Sequence, residues 1–451
     1  MTKESIYWYF VILTFLYIIY KNYNSVIKVL IILCFYSGLA SFFGKGIENP
    51  YKIVLVLLSV YILIKNNGLA GLRNREGFLL IIFILFSVSF IYSGFINGDY
   101  FTLIFSQYGK YVTPICLFFT INRLQNKNPA FLYGFRDLFF SLFAIQILLS
   151  AVKILIIGLV EHTVGSVANS GGGLATILPV LGFALLWLNN KGELKRKDWI
   201  YIFLLLFIGF ASLKRAIWFI MPVFIFLFLY YVPKKLSISK VLYFLPLIPL
   251  IFYIGVRLNP TLNEEGQLWG SYNQQYVLDY GQKYSFGKTS QSSEIQLGEG
   301  RGGATVLLFE KLIKGTTLSS NDIWGFGLKE IYITNYEEFD YDKYGVTSKG
   351  SVSGIFQTYI ATGYVGILLT ILLIISVLGN IKESRIRFVM ALLIFWDYLF
   401  YSGLILRTQA LFISFFFIII YSNLQYNLGL YRKRSITYPY DKNRHLQTRK
   451  V

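Results

Sequence analysis

Apolar blocks recur along nearly the whole chain, separated by short polar breaks. A hydrocarbon core about 30 Å thick takes about 20 helical residues, fewer where flanking aromatics and lysines reach the interface. Blocks of that kind predict membrane spans at Ile6 to Tyr20, Val26 to Phe43, Pro50 to Ile64, Gly77 to Ile96, Phe101 to Ile121, Leu138 to Val160 and Gly171 to Leu188. Further spans are predicted at Trp199 to Leu213, Ala216 to Val232, Val241 to Val256, Val352 to Leu378, Phe388 to Tyr401 and Ala410 to Tyr421. One long polar stretch, Leu258 to Ser351, interrupts the series. The expected fold is all-α: a polytopic transmembrane helical bundle of about 12 to 13 spans carrying one large loop. Residues 1–257 hold the spans before the loop, 258–351 the loop, 352–424 the spans after it, and 425–451 a basic tail.

Charge divides the breaks into two alternating sets. One carries Lys65, Arg73 and Arg75, then Arg123, Lys127 and Arg136, then Lys191 and Lys195 to Lys197, then Lys234 and Lys235, then Lys382, Arg385 and Arg387, and the tail. The positive-inside rule makes that set cytoplasmic. The opposite set comprises Asn97 to Tyr100, Glu161 to Ser170, the Leu213 to Arg215 corner, the large loop and the Ser402 to Gln409 turn, which should face the periplasm or cell exterior. The chain is therefore expected to cross a cell membrane many times. Within the loop, Ala304 to Lys314 places Val306, Phe309 and Ile313 on one face with Glu310, Lys311 and Lys314 around it. That spacing predicts an amphipathic helix along the membrane surface.

Composition narrows the class. Hydrophobic residues make up 55% of the chain and charged residues only 14%, against roughly 25% charged in soluble domains. The net charge of +19 is spread over short loops, as topology requires, so nucleic acid is not an expected partner. Cys34 and Cys116 both lie in apolar runs, which gives neither a disulfide framework nor a metal site. The N-terminal apolar stretch lacks a small-residue cleavage site after it and reads as a retained first span.

Candidate chemistry lies at the outer boundary. Lys214 and Arg215 sit between two spans with almost no linker, where a guanidinium could fork onto a lipid phosphate. The same pair could equally snorkel to the interface. Arg301 opens the loop helix within the flexible Gly298 to Gly303 stretch, and Arg407 stands in the last outer turn against the positive-inside trend. Three arginines on that side point to an anionic ligand. Lys110, mid-span, serves either a substrate cavity or an ion pair with Asp397. His162 and the loop carboxylates Asp322, Asp340 and Asp342 are candidates for acid-base work or substrate contact. The stretch Asn335 to Gly345 mixes aromatic rings with carboxylates, as sugar-binding surfaces do. No phosphate-binding loop, metal-spaced His/Cys cluster or nucleophile elbow is present in the sequence.

Four stretches carry a family resemblance. Ser166 to Thr176 resembles an Asn/Gly-rich approach to a span, and Ser212-Leu-Lys-Arg-Ala a Ser-x-x-Arg corner. Arg301 with Phe309-Glu-Lys-Leu-Ile and Trp324-Gly-Phe-Gly resembles an arginine-led loop helix ending in Gly-x-Gly. Ser351 to Ile367 resembles the return into the membrane. In that order, over roughly Ser166 to Leu378, the chain resembles the O-antigen polymerase and ligase superfamily, most closely the Wzy-type polysaccharide polymerases. The resemblance implies a GT-C-like bundle that joins saccharide units carried on undecaprenyl diphosphate. Arg215 and Arg301 match the family's diphosphate-holding arginines. Ligases of the superfamily carry a histidine at the membrane return, where this chain reads Ser353-Gly-Ile-Phe-Gln, so polymerase is favoured.

The expected activity is thus a glycosyltransferase that polymerises capsule or O-antigen repeat units in the cell envelope. Its partners would be the lipid-linked oligosaccharide, the bilayer and a chain-length regulator. Arg215 and Arg301, helped by Lys214 and Arg407, would neutralise the leaving diphosphate, so neither a metal nor a cofactor is expected. A ligase and a lipid-linked oligosaccharide flippase are the rival expectations.

Overall fold

In the computed structural model, the described residues are 23–37, 49–65, 72, 74–128, 130–158, 165–167, 172–190, 195–212, 215–227, 246–260, 262–286, 301–314, 318–333, 336, 338–341, 344, 346 and 352–437. The predicted first span, Ile6 to Tyr20, lies outside them. Among the described residues the secondary structure is helical and no strand occurs.

The helices before the loop are α1 (Tyr23–Phe35), α2 (Asn49–Lys65), α3 (Asn74–Ile96), α4 (Phe101–Lys127), α5 (Ala130–Ile157), α6 (Gly172–Asn189), α7 (Arg196–Ala211), α8 (Arg215–Phe226) and α9 (Leu247–Leu258). The loop contributes α10 (Gln274–Phe286), α11 (Arg301–Ile313), α12 (Ser320–Trp324) and α13 (Leu328–Tyr332). Four helices follow: α14 (Gly354–Gly379), α15 (Ser384–Phe400), α16 (Leu404–Arg407) and α17 (Gln409–Thr437).

Four stretches are long and apolar enough to cross a membrane: Asn74–Ile96, Phe131–Ile156, Gly354–Gly379 and Gln409–Leu428. Three shorter apolar helices, Ile53–Lys65, Leu174–Asn189 and Pro249–Leu258, accompany them. The protein is therefore an all-α chain with membrane-spanning character. Helix α4 is long but carries Gln107, Lys110 and Arg123, which lowers its apolar content below that of the four. Helix α17 runs on to Thr437, past the expected start of the tail at 425.

Two ends of the bundle are distinct. At one end Arg75 donates to the Gly379 carbonyl, Arg136 reaches Asn189, Lys382 bonds Asn423 and Asn427, and Asn423 bonds the Asn380 carbonyl. These contacts gather breaks that the sequence placed in the basic set. At the other end the Asn97–Tyr100 turn, the large loop and the 401–408 turn meet. There Asp99 bonds the amides of Leu328 and Lys329. The Gly354 amide donates to the Tyr401 carbonyl at 2.5 Å, which ties the start of α14 to the turn that leads into α16.

The described residues of the loop hold more helix than its hydropathy pattern predicts. The expected amphipathic helix is present as α11, beginning three residues earlier than Ala304, at Arg301, but α10, α12 and α13 were not foreseen. Helices of five residues, as α12 and α13 are, have no room to display an apolar period. They are held by caps and by packing instead.

The loop docks where α14 breaks. Gly363 has φ 66° and ψ −165°, outside helical geometry, so α14 consists of two helical segments joined at that residue. The break opens its backbone to the loop: the Phe326 amide donates to the Ile360 carbonyl at 2.7 Å. Ser93 of α3 donates to the Ala361 carbonyl at 2.8 Å and also bonds the Trp324 carbonyl. A side chain at Gly363 would run into the Ile323 carbonyl, so this close approach needs glycine.

Candidate functional site

The turn expected at Ser402 to Gln409 contains α16, whose last residue is Arg407. That residue is half-buried, and its guanidinium lies within hydrogen-bonding reach of the hydroxyls of Tyr111 on α4 and Tyr332 on α13. Lys110, adjacent on α4, sits over the Tyr332 ring with its Nζ 5.3 Å from the centroid. Gln107, Tyr111, Tyr332, Thr358, Thr362 and Arg407 line a chamber of about 20 Å³, enough for a water molecule. Phe86 and Phe90 of α3 also border it.

The chamber has an excess of positive charge. Arg407 has no carboxylate within ion-pair distance among the described residues. Lys110 donates to Gln107 Oε1 at 2.5 Å and makes no ion pair with Asp397; it does not itself line the chamber and meets it through Gln107 and Tyr332. Asp397 is instead taken up by backbone: it accepts the Leu404 and Ile405 amides at 3.0 and 2.9 Å. A guanidinium carries five N–H donors, more than two phenol oxygens take. Tyr332 is 38% exposed, while its hydroxyl end faces Arg407. Burial of that end would raise the phenol pKa, but the charges of Arg407 and Lys110 and the hydrogen bond from Arg407 outweigh it and hold it below the ordinary value.

The other predicted residues are placed differently. Asp322 is buried and accepts four hydrogen bonds: from Lys311 at 2.6 Å, from Tyr359, and from the amide and hydroxyl of Ser319, both at 2.9 Å. Burial opposes its charge, yet these partners hold its pKa down at about 2. A carboxylate so engaged is a poor proton acceptor at neutral pH and acts as a clamp between α11, α12 and α14. Asp340 lies on the exposed loop surface. Arg215 and Arg301 are the first residues of α8 and α11, but their side chains, together with Lys214, His162 and Asp342, lie outside the described residues.

The acidic-aromatic stretch turns rings inward. Phe339 and Tyr344 are buried and stacked at 5.3 Å between centroids, and Phe339 also meets Phe326, Phe356 and Tyr359 edge-on. These two rings anchor the loop to α14 and are not open to a sugar, whereas Tyr336 and Tyr341 of the same stretch are half-buried. Tyr111 and Tyr332 were not singled out from the sequence, because two tyrosines among 35 carry no distinguishing spacing.

No protein-family model matches this chain, and no curated protein matches it in sequence.

Proposed function

We propose that this protein is a polymerase that joins oligosaccharide repeat units carried on undecaprenyl diphosphate into a surface polysaccharide, at the outer face of the bacterial cytoplasmic membrane. The observation that carries the reading is Arg407: a half-buried guanidinium with no carboxylate within ion-pair distance among the described residues, beside Lys110, where the large loop meets the bundle. A cation kept in this way is suited to a multiply charged anion such as a diphosphate.

In the proposed reaction a hydroxyl of the incoming repeat unit attacks the anomeric carbon of the growing chain. The bond from that carbon to the diphosphate oxygen breaks, and the lipid diphosphate leaves with the electron pair. Arg407 and Lys110 stabilise the charge that builds on it, with Arg215, Arg301 and Lys214 contributing from the starts of α8 and α11 and the corner before α8. The hydroxyl proton passes to a base that the described residues do not assign, and the low pKa of Asp322 argues against that residue.

The test is the glycan of a strain lacking the gene, resolved on a gel and probed for lipid-linked intermediates. Loss of long chains with single repeat units still reaching the outer face supports polymerase. Full-length chains retained on the lipid carrier would identify a ligase, and repeat units trapped in the cytoplasm a flippase.

A further inference from the structure

Two short helices bring Tyr332 and Arg407 to the chamber, and they are built alike. Helix α13 has Gly327 at its N-cap and α16 has Gly403, so neither has a side-chain cap of its own. In each, a carboxylate from another segment bonds the first two amides. Asp99 takes Leu328 at 2.7 Å and Lys329 at 2.9 Å; Asp397 takes Leu404 at 3.0 Å and Ile405 at 2.9 Å. Each helix then ends on a chamber residue, Tyr332 in α13 and Arg407 in α16.

We infer that Asp99 and Asp397 are a matched pair of positioning residues that hold the Tyr332 hydroxyl and the Arg407 guanidinium face to face. Helices of five and four residues are not stable alone, and their first-turn amides have no intrahelical partners. A carboxylate fastened to two such amides fixes both the helix axis and its rotation. The chamber residue one turn on is thereby aimed. Asp99 and Asp397 are both buried, so the paired bonds are shielded from competing water. The catalytic meaning of this placement rests on the polymerase reading, but the placement itself does not.

The titration of Tyr332 reads the placement without turnover. The charged and titratable groups facing this phenol are Arg407 from α16 and Lys110 and Tyr111 from α4, while α14 presents Thr358 and Thr362 to the chamber. We would introduce 3-fluorotyrosine at position 332 of the full chain in detergent and follow its fluorine resonance with pH. The midpoint should lie below that of the same label in an unstructured peptide, and R407Q should raise it. D99A and D397A should each raise it too, and D99N less than D99A, because the one amide oxygen of asparagine can still take one backbone N–H. Loss of a negative charge alone would lower the midpoint, so a rise reports displacement of the phenol from its cations. An unchanged or lowered midpoint in D99A, in protein that elutes as wild type does, overturns the inference; so does a wild-type midpoint at or above that of the peptide. If D397A does not elute as a single species, D99A and D99N decide the matter. A chain that shows these shifts yet elongates no lipid-linked repeat unit keeps the positioning pair and loses the polymerase reading.

Discussion

The Lys311 ammonium lies 2.6 Å from the Asp322 carboxylate and joins α11 to α12, while the Tyr359 hydroxyl bonds the same carboxylate from α14. The Asp322 pKa of about 2 makes this clamp pH-sensitive in a defined direction. Its stabilisation is fully present above the unfolded value, roughly 3.9, and is lost as pH falls through about 2. Asp322→Asn should lower stability at neutral pH by about 2 kcal/mol and flatten the acid-side dependence. Thermal unfolding of the detergent-solubilised chain between roughly pH 5 and the acid limit of solubility checks both.

Gly363 gives a second stability prediction. Alanine there must adopt φ near 66° and meet the Ile323 carbonyl, a strain of about 1–3 kcal/mol before the clash is counted. Gly363→Ala should therefore reduce folded yield and melting temperature. Gly379, at the end of the same helix, has open space where its Cβ would be, so Gly379→Ala should be neutral or stabilising by up to about 1 kcal/mol. Equal effects at the two positions would show that the helix break is not required.

These positions also show what the sequence could convey. The apolar blocks and alternating basic breaks made the helical bundle legible, because burial in lipid demands long apolar runs. Arg407 stood out because a cation in that turn goes against the charge alternation, and Lys110 because a mid-span charge needs a reason. Their tyrosine partners did not, since contact between α4 and α13 is set by the docking of the loop and leaves no periodic trace. Asp397 invited an ion-pair reading, whereas its partners are amides eight residues or fewer along the chain. Backbone partners have no side-chain signature. Gly403, just before α16, was the available clue that a helix start there lacked its own cap.

The sidedness of the two ends can be measured directly. Asp340 and Lys197 are both exposed and belong to opposite sets of breaks. Cysteine at 340 should react with a membrane-impermeant maleimide in spheroplasts, whereas cysteine at 197 should react only after permeabilisation. Cys34 is buried and Cys116 half-buried, which keeps background labelling low. Reaction of both positions from the same side would remove the assignment of the loop to the outer face.

The chemistry of the chamber predicts an order among its variants. Arg407→Gln removes the guanidinium that meets both Tyr111 and Tyr332, and should slow elongation of a lipid-linked repeat unit by about 10²- to 10³-fold. Arg407→Lys should recover little of this, because an ammonium is a point charge and cannot fork between two phenols and a phosphate. Lys110→Gln should cost less than either, since its ammonium lies over the ring of Tyr332 and bonds Gln107, with Arg407 still in place. The measurement is the initial rate of chain growth by purified variants that elute as wild type does. If Lys110→Gln is the more damaging change, the charge that matters lies on α4, and Arg407 serves to hold the loop.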